Sequence, residues 1–82
     1  MTLEEFKIEI VKIDKNFIVF FTPRISSIHI NFKIKNQNYH IIFNDNDNVI
    51  LSKYITSGLS IKEIMQDTAE KILLKIKQLD RW

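Results

Sequence analysis

Eight consecutive residues, Ile28-His29-Ile30-Asn31-Phe32-Lys33-Ile34-Lys35, alternate apolar and polar without a slip. Successive residues of a β-strand point to opposite faces, so this period predicts a strand with one buried face and one wet face. Such a strand needs neighbours beside it and a second layer over its apolar side. With 82 residues, the chain has length for a single domain, residues 1–82, at the small end of what one core supports. It contains no cysteine, so neither a disulfide nor a thiolate metal site is expected to assist. Apolar packing must hold the fold, and 45% of the residues are hydrophobic, too many for a disordered tail.

The alternation resumes at Tyr39, Ile41 and Phe43, after a turn at Asn36-Gln37-Asn38. Pairing Ile34 with Tyr39 across a four-residue loop sets Phe32 opposite Ile41 and Ile30 opposite Phe43, and all the apolar residues then share a face. Phe17–Thr22 forms an earlier strand that is apolar on both faces, which calls for cover on both sides or an interface; Pro23 ends it. Thr2 and Glu5 have capping-box spacing, and Leu3, Phe6, Ile10 and Ile13 share a helical face, so a helix is expected over 3–13. The alternation of Phe6-Lys7-Ile8-Glu9-Ile10 and the β-branched residues from Ile8 to Ile13 leave a strand as the competitor.

Val49 to Thr56 reads either as a short helix closed by Gly58 or as a further strand. Ser60 and Glu63 form a second capping box, and Ile61, Ile64, Met65, Thr68, Ala69, Ile72, Ile76 and Leu79 make a stripe, predicting one long helix to about Leu79. The expected fold class is therefore α+β. It is a three-stranded antiparallel sheet, four-stranded if the segment from Val49 joins it, packed against a long C-terminal helix in the order α-β-β-β-(α)-α.

The chemistry-bearing residues are sparse. In the register above His40 pairs with Lys33 and His29 with Asn44, which puts the histidines four residues apart, roughly 13 Å at the usual rise per residue. They then cannot share a metal, and each reads as a solvated strand residue. The chain holds a single glycine, which excludes phosphate-cradling loops, and no nucleophile-elbow, zinc-protease or nucleotide motif occurs. Asp45-Asn46-Asp47-Asn48 has the look of a calcium loop, but the positions that pattern requires are held by Val49, Ile50 and Thr56. A turn is expected there instead. No catalytic, cofactor-binding or metal-ligating set is predicted, and the chain reads as a binding protein, not an enzyme.

Two surfaces are candidates for binding. His29, Asn31, Lys33, Lys35 and His40, with Arg24, make a mildly basic strip that suits a phosphate backbone or an acidic protein, or is a solvated face. The expected absence of aromatics from that face argues against base stacking. Residues 15–44 carry Lys15, Arg24, Lys33 and Lys35 and no acid, whereas residues 1–14 hold four acids against two lysines; the whole chain is only +2. The second candidate is an apolar set, Phe17, Ile18, Phe20, Leu74 and Trp82, either buried in the core or free to anchor a homodimer or a partner protein. No apolar run reaches the ~18 residues of a membrane span and the N-terminus is acidic, so a cytoplasmic protein is expected.

The α-β-β-β-α order, with Ser60-Ile61-Lys62-Glu63-Ile64-Met65 opening the last helix, resembles the topology of double-stranded-RNA-binding domains. The stretch carries one lysine where that family has several, and none of its RNA contacts carries over. In more detail the chain is similar to small phage-encoded anti-CRISPR proteins of α-β-β-β-α-α architecture that inhibit type II-A effector nucleases. The parallels are Leu3-x-x-Phe6-x-x-x-Ile10, the strand ending near Thr22, the Ser26-Ser27-Ile28 strand entry and the Lys35-Asn36-Gln37-Asn38-Tyr39 turn. They continue through the Asn-Asp run at 44–48 into Ile50-Leu51-Ser52-Lys53-Tyr54-Ile55, covering residues 3–56. The acidic, DNA-like surface of the best-known member is not matched by this basic chain. The resemblance implies a small mobile-element protein that inhibits a host ribonucleoprotein or other defence complex by occupying a surface.

Overall fold

The computed structural model describes residues 1–55 and 60–81. Its order is α1 (Leu3–Ile13), β1 (Ile18–Thr22), β2 (Ser27–Ile34), β3 (Gln37–Asp45), β4 (Asn48–Tyr54), β5 (Ile61–Asp67) and α2 (Ala69–Arg81). The five strands form one antiparallel sheet in the order β1-β2-β3-β4-β5, each paired with its neighbours in sequence. Both helices pack on one face. Phe6 and Ile10 of α1 and Ala69, Ile72, Leu73 and Ile76 of α2 meet Ile30, Phe32, Ile34, Tyr39, Ile41, Phe43, Val49 and Leu51 from the three central strands. Among the described residues no helix is long and apolar enough to cross a membrane.

The α+β class, the antiparallel sheet and the N-terminal helix agree with the sequence. The Thr2 hydroxyl accepts from the Glu5 amide at 3.2 Å and Glu5 accepts from the Thr2 amide at 2.8 Å, a complete capping box. Hydrogen bonding from Thr2, its backbone amide first and its side chain second, holds the Glu5 carboxyl below its ordinary range. The segment from Val49 resolves as strand β4. Thr56 and Gly58, the latter expected to close a helix there, lie outside the described residues.

The long helix from Ser60 is corrected. Residues 61–67 are β5, and the C-terminal helix starts at Ala69, where the Thr68 hydroxyl accepts from the Lys71 amide at 3.4 Å in the manner of an N-cap. The reason for the misreading is local. Opposite β5 the ladder slips between Leu51, which pairs with Met65, and Ser52, which pairs with Glu63, so Ile64 is a bulge residue. An inserted residue breaks the period of two and leaves Ile61, Ile64 and Met65 at helical spacing. Three or four expected strands thus become five.

The hairpin register is also corrected. The loop between β2 and β3 has two residues, Lys35 and Asn36, at φ +50° and +67°, and Ile34 pairs with Gln37. Two positive φ values are those of a type I′ turn, whose twist matches that of the flanking strands. The shift from the four-residue loop moves the partner strand by two positions, which leaves every side chain on its expected face while changing its neighbours. At this same end of β2, the Lys33 amide lies beyond the last rung with β1, Ile18 with Asn31, and donates to Asp14 Oδ2 at 2.9 Å.

Lysine at positive φ carries strain that asparagine and glycine avoid. Replacing the loop by Asn-Gly (Lys35→Asn with Asn36→Gly) is expected to raise stability by about 1 kcal/mol in urea unfolding. The same pair of changes would destabilise a four-residue loop that had no positive-φ requirement at these two positions.

Candidate functional site

The sheet face away from the helices is open, and polar side chains meet at its centre. Strand parity places His29 and Asn31 of β2, His40 of β3 and Ser52 and Tyr54 of β4 on this face, with Phe20 of β1 directly opposite His29. Because β3 is shifted by two positions from the expected register, His40 pairs with Asn31 and the two imidazoles are diagonal neighbours. His29 Nδ1 lies 2.9 Å from His40 Nε2. His40 Nδ1 lies 2.7 Å from Asn31 Oδ1, to which the Tyr54 hydroxyl also donates at 3.2 Å. Tyr54 sits with its oxygen 3.3 Å from His40 Nδ1, and the Phe20 ring stacks on His29 at 4.9 Å with an 8° interplanar angle.

The amide oxygen of Asn31 can only accept, so the network assigns the proton of neutral His40 to Nδ1. His40 Nε2 is then a lone pair that accepts from His29 Nδ1–H. His29 Nε2 is left as a second lone pair, and it is the buried nitrogen without a partner among the described residues. His29 is 9% exposed and His40 7%, although no helix covers them. The expectation that both are solvated and apart is therefore corrected: they touch, they are buried, and Phe20 and the strand neighbours shield them.

Burial is the main reason that the His40 imidazolium is disfavoured, with the neighbouring His29 adding to it, and both depress its pKa below the ordinary value. The unfolded chain then takes up a proton at His40 more readily than the folded one. Stability from this group is complete above the unfolded value, roughly 6.5, and declines as pH falls below it.

The structure divides the sequence candidates. His29, Asn31 and His40 converge, and Ile18 and Phe20 border them on the same face. The cations do not converge. Lys33 and Lys35 lie at the β2–β3 turn end, whereas Arg24 sits in the β1–β2 turn at the far end of β2. Phe17 precedes β1 and packs against the core, half-buried. Leu74 is exposed on α2, in the helical layer on the other side of the sheet. Trp82 lies outside the described residues. A shallow cleft of about 280 Å³ adjoins the network, lined by Asp14, Asn16, Ile18, Asn31, Lys33 and Asn38.

Tyr54 was not singled out by the sequence, and the face carries aromatics where none was expected, Phe20 and Tyr54. The parity of β4 could have found Tyr54, since Ile50, Ser52 and Tyr54 alternate and Ser52 lies opposite His40. Asp45-Asn46-Asp47-Asn48 is a turn, as expected, with the Asp47 amide donating to Asp45 Oδ1 at 2.8 Å. Among the described residues no three His, Asp or Glu side chains gather where they could hold a metal ion. Compared with protein-family models, with curated proteins and with solved structures, the chain finds no match.

The pH dependence has a definite sign. Urea-unfolding stability is expected to fall between pH 7 and pH 5, and His40→Gln is expected to flatten that dependence. A wild type that is equally stable across the interval would contradict the buried, depressed imidazole.

Proposed function

We propose that this protein is a non-catalytic inhibitor that works by seating the open face of its sheet on another macromolecule. The observation that carries the reading is the composition of that face. A half-exposed Phe20, with Ile18 beside it, caps a buried polar cluster in which His29, His40, Asn31 and Tyr54 are linked by hydrogen bonds, with His29 Nε2 left over. Aromatic anchors in a partly desolvated setting carry most of the energy in protein interfaces. Cross-linked polar groups beneath them keep the anchor in place without a mobile loop. Three of the four histidine nitrogens are engaged with each other and with Asn31, and the fourth, His29 Nε2, is buried, an arrangement suited to rigidity more than to proton transfer with a substrate.

Small size and the resemblance described from the sequence direct the proposal to a host defence complex, of the CRISPR effector type, as the target. A nucleic-acid ligand is the second reading, favoured by Phe20 and Tyr54 on the sheet face, since bases stack on such rings. Against it stands the separation of Arg24 from Lys33 and Lys35 along the whole of β2, which breaks up a phosphate track.

The test is inhibition of DNA cleavage by purified effector ribonucleoproteins, with direct binding measured on whichever one is blocked. Phe20→Ala is expected to weaken binding about tenfold or more, or ~1.4 kcal/mol, whereas Leu74→Ala in the other layer leaves it unchanged. Equal binding by both variants would remove the open face from the interaction. Affinity for naked DNA or RNA that falls linearly in log–log with salt would favour the nucleic-acid reading instead.

A further inference from the structure

The two edges of the sheet differ in a way that bears on assembly. A free strand edge offers a row of unpaired backbone donors and acceptors, and proteins that remain single protect such edges with charges, bulges or cover. The β5 edge is protected: it carries Lys62, Glu63 and Asp67 and the bulge at Ile64. The β1 edge is not. Its sequence is Ile18-Val19-Phe20-Phe21-Thr22, five residues without a charge, and among the described residues its only strand partner is β2.

Both faces of β1 remain partly exposed. Ile18, Val19, Phe20 and Phe21 are 61%, 38%, 43% and 57% exposed. Val19 and Phe21 point to the helical side, yet the helices pack over the central strands. Val11 of α1 is also exposed, about 200° around the helix from Glu9, which pairs with Lys77 of α2. That position places Val11 on the flank of α1 turned away from α2, towards the β1 side of the sheet.

We propose that β1 pairs antiparallel with β1 of a second copy, joining two five-stranded sheets into one. The two-fold axis of such a pair stands perpendicular to the sheet, so each face is continued by the same face of the other copy. Residues directly opposite must then have the same parity. A register centred on Phe20 satisfies this, setting Phe20 against its own copy on the open side and Val19 against Phe21 twice on the helical side. Moving the centre by one residue to Val19 sets Ile18 against Phe20. In both registers no charge meets a like charge within the strand, so self-pairing meets no repulsion of the kind the β5 edge would present. An unpaired main-chain edge selects another strand as its occupant, and this strand is complementary to itself. A five-residue ladder is a small contact, at or below the usual range for stable complexes, so the dimer is expected to be concentration-dependent.

The seam also takes in Phe20, so the two readings are separated by variants at Val19 and Phe21, which lie on the other side of the sheet. Sedimentation of the full chain from micromolar to millimolar concentration is expected to show a monomer–dimer equilibrium. Amides of residues 18–22 are expected to gain hydrogen-exchange protection as the dimer fills. Val19→Lys is expected to weaken the dimer about tenfold or more by placing like charges across the seam, and Phe21→Lys serves as the second variant should the first not fold. Both should retain open-face binding. A monomer at every concentration would overturn the proposal, as would a dimer unaffected by both lysines or one that leaves the β1 amides unprotected. Protection of those amides only when a different protein is added would assign the edge to a foreign strand and would equally overturn self-pairing.

Discussion

The loop Lys35-Asn36 sets the register on which the rest of the sheet depends. With both residues at positive φ, the hairpin closes in two residues and every rung of β2 against β3 is determined. That register makes His40 the partner of Asn31 and brings His29 alongside, creating the polar centre of the open face. It also stacks Phe32 with Tyr39 on the helical side, beneath the hydrophobic layer. A hairpin two positions out of step would bury the same residues and have none of these contacts. The site is thus a product of turn chemistry more than of hydrophobic pattern.

The degree to which the sequence could be read follows from that distinction. Alternation in β2 and β3 identified both strands and their buried faces, and the spacing of Thr2, Glu5, Phe6 and Ile10 identified α1 with its cap. These signals are local and periodic. Parity, however, is blind to a shift of two, so the contact between His29 and His40 could be seen only by recognising that Asn36 tolerates the left-handed region. In β5 the signal was misleading, since a bulge at Ile64 reproduced helical spacing and Ser60 and Glu63 imitated a cap. What decided that segment was the need of β4 for a partner along its outer edge, a tertiary demand that no window of the sequence displays. Arg24 and Leu74 were grouped with residues that the fold sets far from them, because grouping by chemistry ignores which turn or layer a residue occupies.

The two faces of the sheet have different kinds of order. Under the helices, packing is apolar and closed, and the fully buried Phe6, Ile30, Ile41 and Ile72 are held by shape. On the open side, order comes from hydrogen bonds among side chains that each reach the next strand: His29 and Asn31 from β2, His40 from β3 and Tyr54 from β4. Such a chain of bonds couples three strands and resists shear between them, which an uncovered face would otherwise lack. The helices are in turn coupled to each other by Lys77, whose ammonium meets the Glu9 carboxylate at 2.9 Å. Lys12 first, and Lys77 after it, hold the Glu9 carboxyl below its usual range.

The meander order has a consequence for how the chain reaches this state. Every strand joins the one just before it, so each successive pairing closes a short loop and gives up little chain entropy. The sheet can therefore grow rung by rung from the tight hairpin at its middle, with only the meeting of the first and last helices requiring distant parts of the polypeptide to find each other. Folding of this kind leaves the outer strands to zip on late. A nascent chain would expose the uncharged β1 before the C-terminal helix exists to complete the opposite layer.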